Sequence, residues 1–216
     1  MERVIKKHHA MERQCKVKIC GLSRQEDIML VNEAGPDYIG FVFWNKSKRR
    51  VTKETAAQLK KKLDKSIQAV GVFVDEKPEV ILDLLTNDII DMAQLHGSES
   101  EADIRYIREK SGKPVIRMVR LTDTTDYRAL DDTAADFLLF DSGKGSGKTF
   151  DWRLMEQVKR NCSKPFFLAG GISPDNVSQA IREVKPFAID LSSSLETDGV
   201  KDGEKIRQLM AAIQQK

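Results

Sequence analysis

From residue 16 onward the chain repeats one rhythm. A short run of apolar and β-branched residues is followed by an amphipathic stretch of about ten to fifteen residues, and the pattern recurs without interruption. The runs are 16–20, 38–43, 69–74, 92–95, 115–119, 137–140, 166–169 and 188–191. They are short and largely apolar, as parallel strands buried on both faces must be. Ser23 and Glu26 have the spacing of a capping box for a helix ending at Ala34, where Gly35-Pro36 stops it. A helix is predicted over 53–63, and Pro78 opens one with Val80, Ile81, Leu84 and Leu85 on a single stripe. Ser98 and Glu101 form a second capping-box candidate ahead of Ile104 and Ile107. A short helix is predicted near 124–130. Asp151 is the expected cap of a helix from Trp152, and Ser173-Pro174 the expected start of the next. Ile206, Leu209, Met210 and Ile213 mark the last helix.

Eight strand–helix units predict an α/β fold, a single (β/α)8 TIM barrel spanning 16–216. An open doubly wound sheet is the structural alternative, but no G-x-G-x-x-G follows the first strand. Nothing in the composition marks a second domain, and at about 200 residues the barrel must have short loops. Residues 1–15 precede the first strand. They read as an extension, a cloning remnant or a start-site choice with Met11 as an alternative start, and are expected to be poorly ordered.

Lys and Arg total 36 against 33 for Asp and Glu, a net charge of +3, too balanced for a nucleic-acid partner. No apolar run approaches the roughly 20 residues of a membrane span, and the charged first residues do not form a secretory signal. Cys15, Cys20 and Cys162 have no disulfide-framework spacing, so a reducing, cytoplasmic setting is expected. His8 and His9 lie in the extension, leaving His96 as the only histidine of the barrel. No multi-histidine metal site is therefore expected. The sequence leaves monomer and homodimer open.

In such a barrel the chemistry lies at the C-terminal ends of the strands. Gly170-Gly171 there would let backbone N–H groups approach an oxyanion, and Ser192 and Ser193 add hydroxyls one strand further on. Turn formation alone would also explain a Gly pair or a Ser run; their joint placement favours a phosphate site. Cys20 and Asp141 close the first and sixth strands as a candidate acid–base pair facing each other across the barrel. For Cys20 a buried small hydrophobe is the bland alternative. For Asp141 it is a cap of the Gly-rich loop. To act near neutrality the thiol needs a positive environment that lowers its pKa from about 8.5. Within Lys46-Ser47-Lys48-Arg49-Arg50, Arg49 is the candidate for a two-pronged contact with a substrate carboxylate, and Lys46, Lys48 and Arg50 read as solvated. His96 is either part of the site or a hydrogen-bonded rim residue. Asp190 reads as a structural hydrogen-bond hub.

The strings Lys18-Ile19-Cys20-Gly21, Gly40-Phe41-Val42-Phe43, Lys46-Ser47-Lys48-Arg49, Gln94-Leu95-His96-Gly97, Ala169-Gly170-Gly171-Ile172 and Asp190-Leu191-Ser192-Ser193 occur in order along the chain. Together they resemble phosphoribosylanthranilate isomerase of tryptophan biosynthesis. The resemblance runs from Lys16 to the C-terminus. It implies an Amadori rearrangement of N-(5-phosphoribosyl)anthranilate without metal or organic cofactor, with a small phosphorylated molecule as substrate. It implies Asp141 as general acid, Cys20 as general base and Arg49 on the anthranilate carboxylate. Gly170, Gly171, Ser192 and Ser193 would hold the phosphate, with Gln94, His96 and Asp190 among the substrate-binding residues. The family usually has Gly after the Ser pair, where this chain has Ser194.

Other phosphosugar barrels fit less well. A metal-dependent epimerase needs more histidines. The sister isomerase of histidine biosynthesis places an aspartate where Cys20 stands. Indole-glycerol-phosphate synthase needs a catalytic lysine at a strand end. A silent barrel that only binds phosphorylated ligands has no need for both Cys20 and Asp141.

Overall fold

The computed structural model describes residues 15–122, 125–141 and 152–214. Eight parallel strands follow one another around a closed barrel: β1 (Lys16–Cys20), β2 (Tyr38–Val42), β3 (Gln68–Phe73), β4 (Met92–Leu95), β5 (Val115–Arg120), β6 (Phe137–Asp141), β7 (Phe166–Ala169) and β8 (Ala188–Leu191). β8 pairs back onto β1, with Lys18 opposite Asp190. The connecting helices are α1 (Gln25–Ala34), α2 (Lys53–Lys60), α3 (Pro78–Thr86), α4 (Glu101–Ser111), α5 (Trp152–Asn161) and α6 (Val177–Val184), and α7 (Gly203–Gln214) closes the ring. Between β5 and β6 the chain forms a 3₁₀ turn, Tyr127–Asp132, where an α-helix was expected. After β8 come a 3₁₀ turn, Ser193–Leu195, and a small antiparallel hairpin of β9 (Glu196–Thr197) and β10 (Val200–Lys201).

Strand positions agree closely with the periodicity, whereas the helix starts differ. At α1 the capping acid is Asp27, whose carboxylate accepts the N–H groups of Ser23 and Arg24, both at 3.0 Å. At α4 the box is Ser100 with Asp103, not Ser98 with Glu101. Ser98 instead donates through its N–H and its hydroxyl to Asp75, and Glu101 pairs with Arg117. In both cases an acid near the expected one meets the orphan amides at better register. α6 begins at Val177, after a turn over 174–176. The expected Asp151 cap, the Gly-rich loop over 142–150 and residues 1–14 lie outside the described residues. Cys15, one residue before β1, is described and buried.

Alternation along each strand divides the core into two layers. Val17 and Ile19 of β1 face the helices, which meet them with residues such as Ile28, Ile81, Ile104, Val177 and Leu209. The inward residues Tyr38, Val70, Met92, Ile116, Leu139 and Phe167 fill the barrel itself. Among them β1 contributes a lysine, Lys18, with no solvent exposure.

The N-terminal rim carries a repeated device. Asp37, just before β2, accepts the N–H of Val17 at 2.9 Å. Asp91, just before β4, accepts that of Ala69 at 2.7 Å, and Asp136, just before β6, that of Val115 at 3.0 Å. Each carboxylate also meets a cation: Lys16, Lys60 and Arg108 respectively. Each thereby satisfies a strand-end amide that would otherwise be orphaned beneath the core. Replacing Asp136 with Ala leaves the N–H of buried Val115 unpaired, an expected cost of about 1–3 kcal/mol. Thermal unfolding of the purified variant should show a melting temperature lower by roughly 2–12 °C, and an unchanged one would remove Asp136 from this role.

Candidate active site

The C-terminal rim gathers the chemistry-bearing residues. Cys20 ends β1 with its side chain inward, and Gly40 of β2 is its register partner. A Cβ at position 40 would lie 2.6 Å from the Cys20 sulfur, so only glycine leaves room for the thiol. Below Cys20, the Lys18 ammonium donates to Asp190 at 2.7 Å inside the barrel. Burial works against that ammonium, but Asp190 and Cys20 together hold its pKa above the ordinary value.

The same environment corrects one expectation. The positive groups foreseen around Cys20 are present, in Lys18 and Lys201, yet burial outweighs them and pushes the thiol up rather than down. A raised pKa leaves less thiolate at neutrality but makes the thiolate a stronger base.

Asp141 ends β6, separated from β1 by β7 and β8, one strand short of diametrically opposite. His96 follows β4, its Nε2 4.0 Å from an Asp141 oxygen. Its Nδ1 lies 3.1 Å from the Gln94 amide nitrogen. An amide N–H can only donate, so Nδ1 accepts and the proton sits on Nε2, on the Asp141 side. Burial lowers the His96 pKa, which favours that neutral form. Gln94 Oε1 and Asp190 Oδ1 are buried with no hydrogen-bond partner among the described residues. Two unmatched acceptors inside one barrel are suited to hydroxyl donors from a bound molecule.

The loop after β8 adjoins Cys20, and the loop after β7 lies one strand further round the ring. Gly170 and Gly171 have φ of 81° and 67°, a left-handed conformation that few side chains tolerate. Asn176 fixes that loop, donating to the Gly171 carbonyl at 2.8 Å and accepting from the Ser173 N–H at 2.9 Å. The Ser192 hydroxyl donates to the Cys20 carbonyl at 3.0 Å, so Ser192 is tied to the strand that carries the thiol. Ser193 is exposed at the start of the 3₁₀ turn. Ser194 lies within that turn without a positive φ, so this backbone does not require the glycine found there in the resembling family.

Arg49 is half-buried while Lys46, Lys48 and Arg50 are exposed, as the charge run suggested. Its guanidinium makes a two-pronged pair, as expected of such a site, but with Glu196 of β9: both contacts are 2.6 Å. Lys18, Asn176, Glu196 and Lys201 were not singled out from the sequence. Alternation from Cys20 places Lys18 on the inner face. Nothing local links Arg49 to a glutamate 147 residues away.

Comparison with known proteins bears on the same residues. The model of the family "N-(5'phosphoribosyl)anthranilate (PRA) isomerase" matches residues 17–212. The chain belongs to this family. An N-(5'-phosphoribosyl)anthranilate isomerase of Endomicrobium trichonymphae is 46% identical over 196 residues, covering 88% of this chain and 94% of that protein. The Clostridium acetobutylicum protein of the same name is 40% identical, with 92% and 97% covered. The phosphoribosyl anthranilate isomerase structure from Thermus thermophilus superposes with a TM-score of 0.81 at 34% identity, covering 92% and 98%. Another isomerase structure, in complex with reduced 1-(o-carboxyphenylamino)-1-deoxyribulose 5-phosphate, gives 0.80 at 36%, again covering 92% and 98%. The chain is thus an isomerase of tryptophan biosynthesis on a TIM barrel. Among the described residues no helix is long and apolar enough to cross a membrane.

The environment of Cys20 yields a titration test. Because its folded pKa is raised, iodoacetamide labelling of Cys20, followed by peptide mass spectrometry, should accelerate with pH around a midpoint above that of a free thiol, about 8.5. Restricted access of the reagent slows the absolute rate without moving the midpoint, whereas loss of hydration moves the midpoint up. A midpoint below that of a free thiol would mean that the lysines, not burial, dominate.

Proposed function

We propose that the chain carries out the Amadori rearrangement of N-(5-phosphoribosyl)anthranilate with Asp141 as acid and Cys20 as base. The observation that carries this reading is the placement of both residues at C-terminal strand ends of one barrel mouth, in a chain of this family. Asp141 gives a proton to the ribose ring oxygen. The C1–O bond breaks, and the anilino nitrogen lone pair forms the C1=N bond. The Cys20 thiolate then takes the proton from C2, and the C2–H electrons become the C1=C2 bond of the enolamine while the C=N pair returns to nitrogen. Tautomerisation of the enol gives 1-(2-carboxyphenylamino)-1-deoxyribulose 5-phosphate. The substrate nitrogen is the electron relay. His96, beside Asp141 with its Nε2 proton, supports the carboxyl group.

The phosphate is assigned to the backbone of Gly170 and Gly171 with Ser192 and Ser193, where barrels of this kind commonly bind it. The anthranilate carboxylate is assigned to Arg49. Ribose hydroxyls are assigned to the buried acceptors Gln94 Oε1 and Asp190 Oδ1. The setting is cytoplasmic, and the protein works as a monomer or homodimer. The related isomerase of Thermotoga maritima is described as dimeric, in a structure of monomers generated from it.

Two kinetic outcomes test the roles. Cys20→Ser and Asp141→Asn should each lower kcat by ~10²–10⁴-fold with KM nearly unchanged, because neither group binds phosphate or carboxylate. Loss of phosphoribosylanthranilate fluorescence follows the reaction, and full activity in Cys20→Ala would exclude Cys20 as the base. Gly171→Ala places a Cβ on a left-handed backbone in the phosphate loop. It should raise KM roughly tenfold or more at modest cost in kcat, and an unchanged KM would move the phosphate elsewhere.

A further inference from the structure

The hairpin after β8 reaches back to Arg49. Glu196 holds Nε and Nη2 of the guanidinium, each at 2.6 Å. One Glu196 oxygen also accepts from Lys201 Nζ at 2.6 Å, and the same ammonium donates to the Ser192 carbonyl at 3.1 Å. The Glu196 and Lys201 side chains are 7% and 1% exposed, whereas Arg49 is 32% exposed. Two buried charges thus stand behind one that looks outward.

A guanidinium has two edges that can each take a carboxylate. Glu196 occupies the edge formed by Nε and Nη2. The edge formed by Nη1 and the second proton of Nη2 has no hydrogen bond among the described residues. A paired arginine alone would be neutralised and would attract no anion. Here Lys201 restores the balance: Arg49, Glu196 and Lys201 sum to one positive charge. Burial opposes the Glu196 charge, but the two cations keep its pKa below the ordinary carboxylate value.

We propose that Glu196 and Lys201 are positioning residues, which aim the outer edge of Arg49 at an aromatic carboxylate and, through Ser192, lock that end of the site to the phosphate end. The proposal rests on the assignment of Arg49 to the anthranilate carboxylate. It goes beyond that assignment in naming what orients the guanidinium and in making the hairpin a part of substrate recognition. A buried ion pair contributes little net stability compared with apolar residues of similar volume. The geometry it imposes is therefore its main effect. The rival arrangement is a competitor, in which Glu196 must be displaced before substrate binds. The two make opposite demands on Glu196→Gln.

The test uses the whole chain, the substrate and two probes: the reduced product analogue, which carries both ends, and inorganic phosphate, which carries one. Glu196→Gln should raise KM and the analogue Kd by roughly tenfold or more, the worth of one charge-assisted contact. Its kcat and phosphate Kd should stay close to those of the parent. Lys201→Met should weaken the analogue and also phosphate, because Lys201 holds Ser192. The double variant Arg49→Met/Glu196→Gln should bind the analogue no worse than Arg49→Met. Tighter or unchanged analogue binding by Glu196→Gln, with Arg49→Met weakened, overturns the positioning role alone. Unchanged binding by Arg49→Met instead overturns the assignment on which it rests. Should Glu196→Gln fail to fold, Glu196→Asp keeps the charge but draws the carboxylate back. A rise in KM is expected there too, and a fall in kcat without one would count against the proposal.

Discussion

An ammonium group with no solvent exposure is the costliest element of this barrel. Lys18 is tolerated inside because Asp190 lies 2.7 Å away, and the two come from the first and last strands. Removing one partner of such a pair typically costs about 3–5 kcal/mol, since the other is left charged and dry. The pair therefore specifies where β8 meets β1, the seam between the two ends of the chain's barrel. It also sets the height of what lies above. Cys20 is two residues beyond Lys18, and Ser192 two residues beyond Asp190. The hydrogen bond from Ser192 to the Cys20 carbonyl repeats the same registration one layer up.

From that layer the interior changes from apolar to polar towards the mouth. Ile116, Leu139 and Phe167 belong to the packed interior. Gln94 and Asp190 are the last-but-one residues of β4 and β8, Asp141 ends β6 and His96 follows β4, with two acceptors unmatched among the described residues. The polar groups constrain one another. Gln94 selects the His96 tautomer, Asn176 fixes the Gly171 loop, and Glu196 fixes Arg49. Few of these groups need the substrate to hold them in place, which is the economical arrangement for a site that binds by preorganisation.

The strands were legible because each is a short apolar run bounded by turn residues, and a parallel barrel gives such runs one arrangement. The helix starts were less so. An S-x-x-E spacing at Ser98 and Glu101 is indistinguishable in sequence from the S-x-x-D at Ser100 and Asp103 that actually caps α4, and the choice is made by Asp75 and Arg117 from other elements. Much of the candidate site was readable from strand ends alone: Cys20, His96 and Asp141 fall where alternation and topology put them. The position of Arg49 was readable, but its Glu196 partner was not, because the contact spans 147 residues. The direction of the Cys20 pKa was not readable either. A string of letters shows that lysines lie nearby in sequence, but not how completely the fold removes water from the thiol.

The aspartates at the opposite rim have a consequence for the order in which the ring can assemble. Asp37, Asp91 and Asp136 each join an odd strand to the even strand that follows, across separations of 20, 22 and 21 residues. The Lys18–Asp190 contact closes across 172. Each doubling of a loop adds only about 0.6 kcal/mol of closure entropy, so the long closure costs about 2 kcal/mol more than a stitch. Contacts of short range are nonetheless met first by a searching chain. Three quarters of the barrel can thus register as independent pairs of parallel strands with their crossovers, each carrying its own electrostatic clasp. Among the described residues no aspartate clasp joins β7 to β8, and the seam with β1 carries the buried ion pair and the Ser192–Cys20 hydrogen bond. Cys20 and Ser192, to which the proposed function assigns proton abstraction and phosphate binding, sit on that last seam. On the proposed assignment, the acid–base pair and the phosphate site come together only when the whole circle has closed.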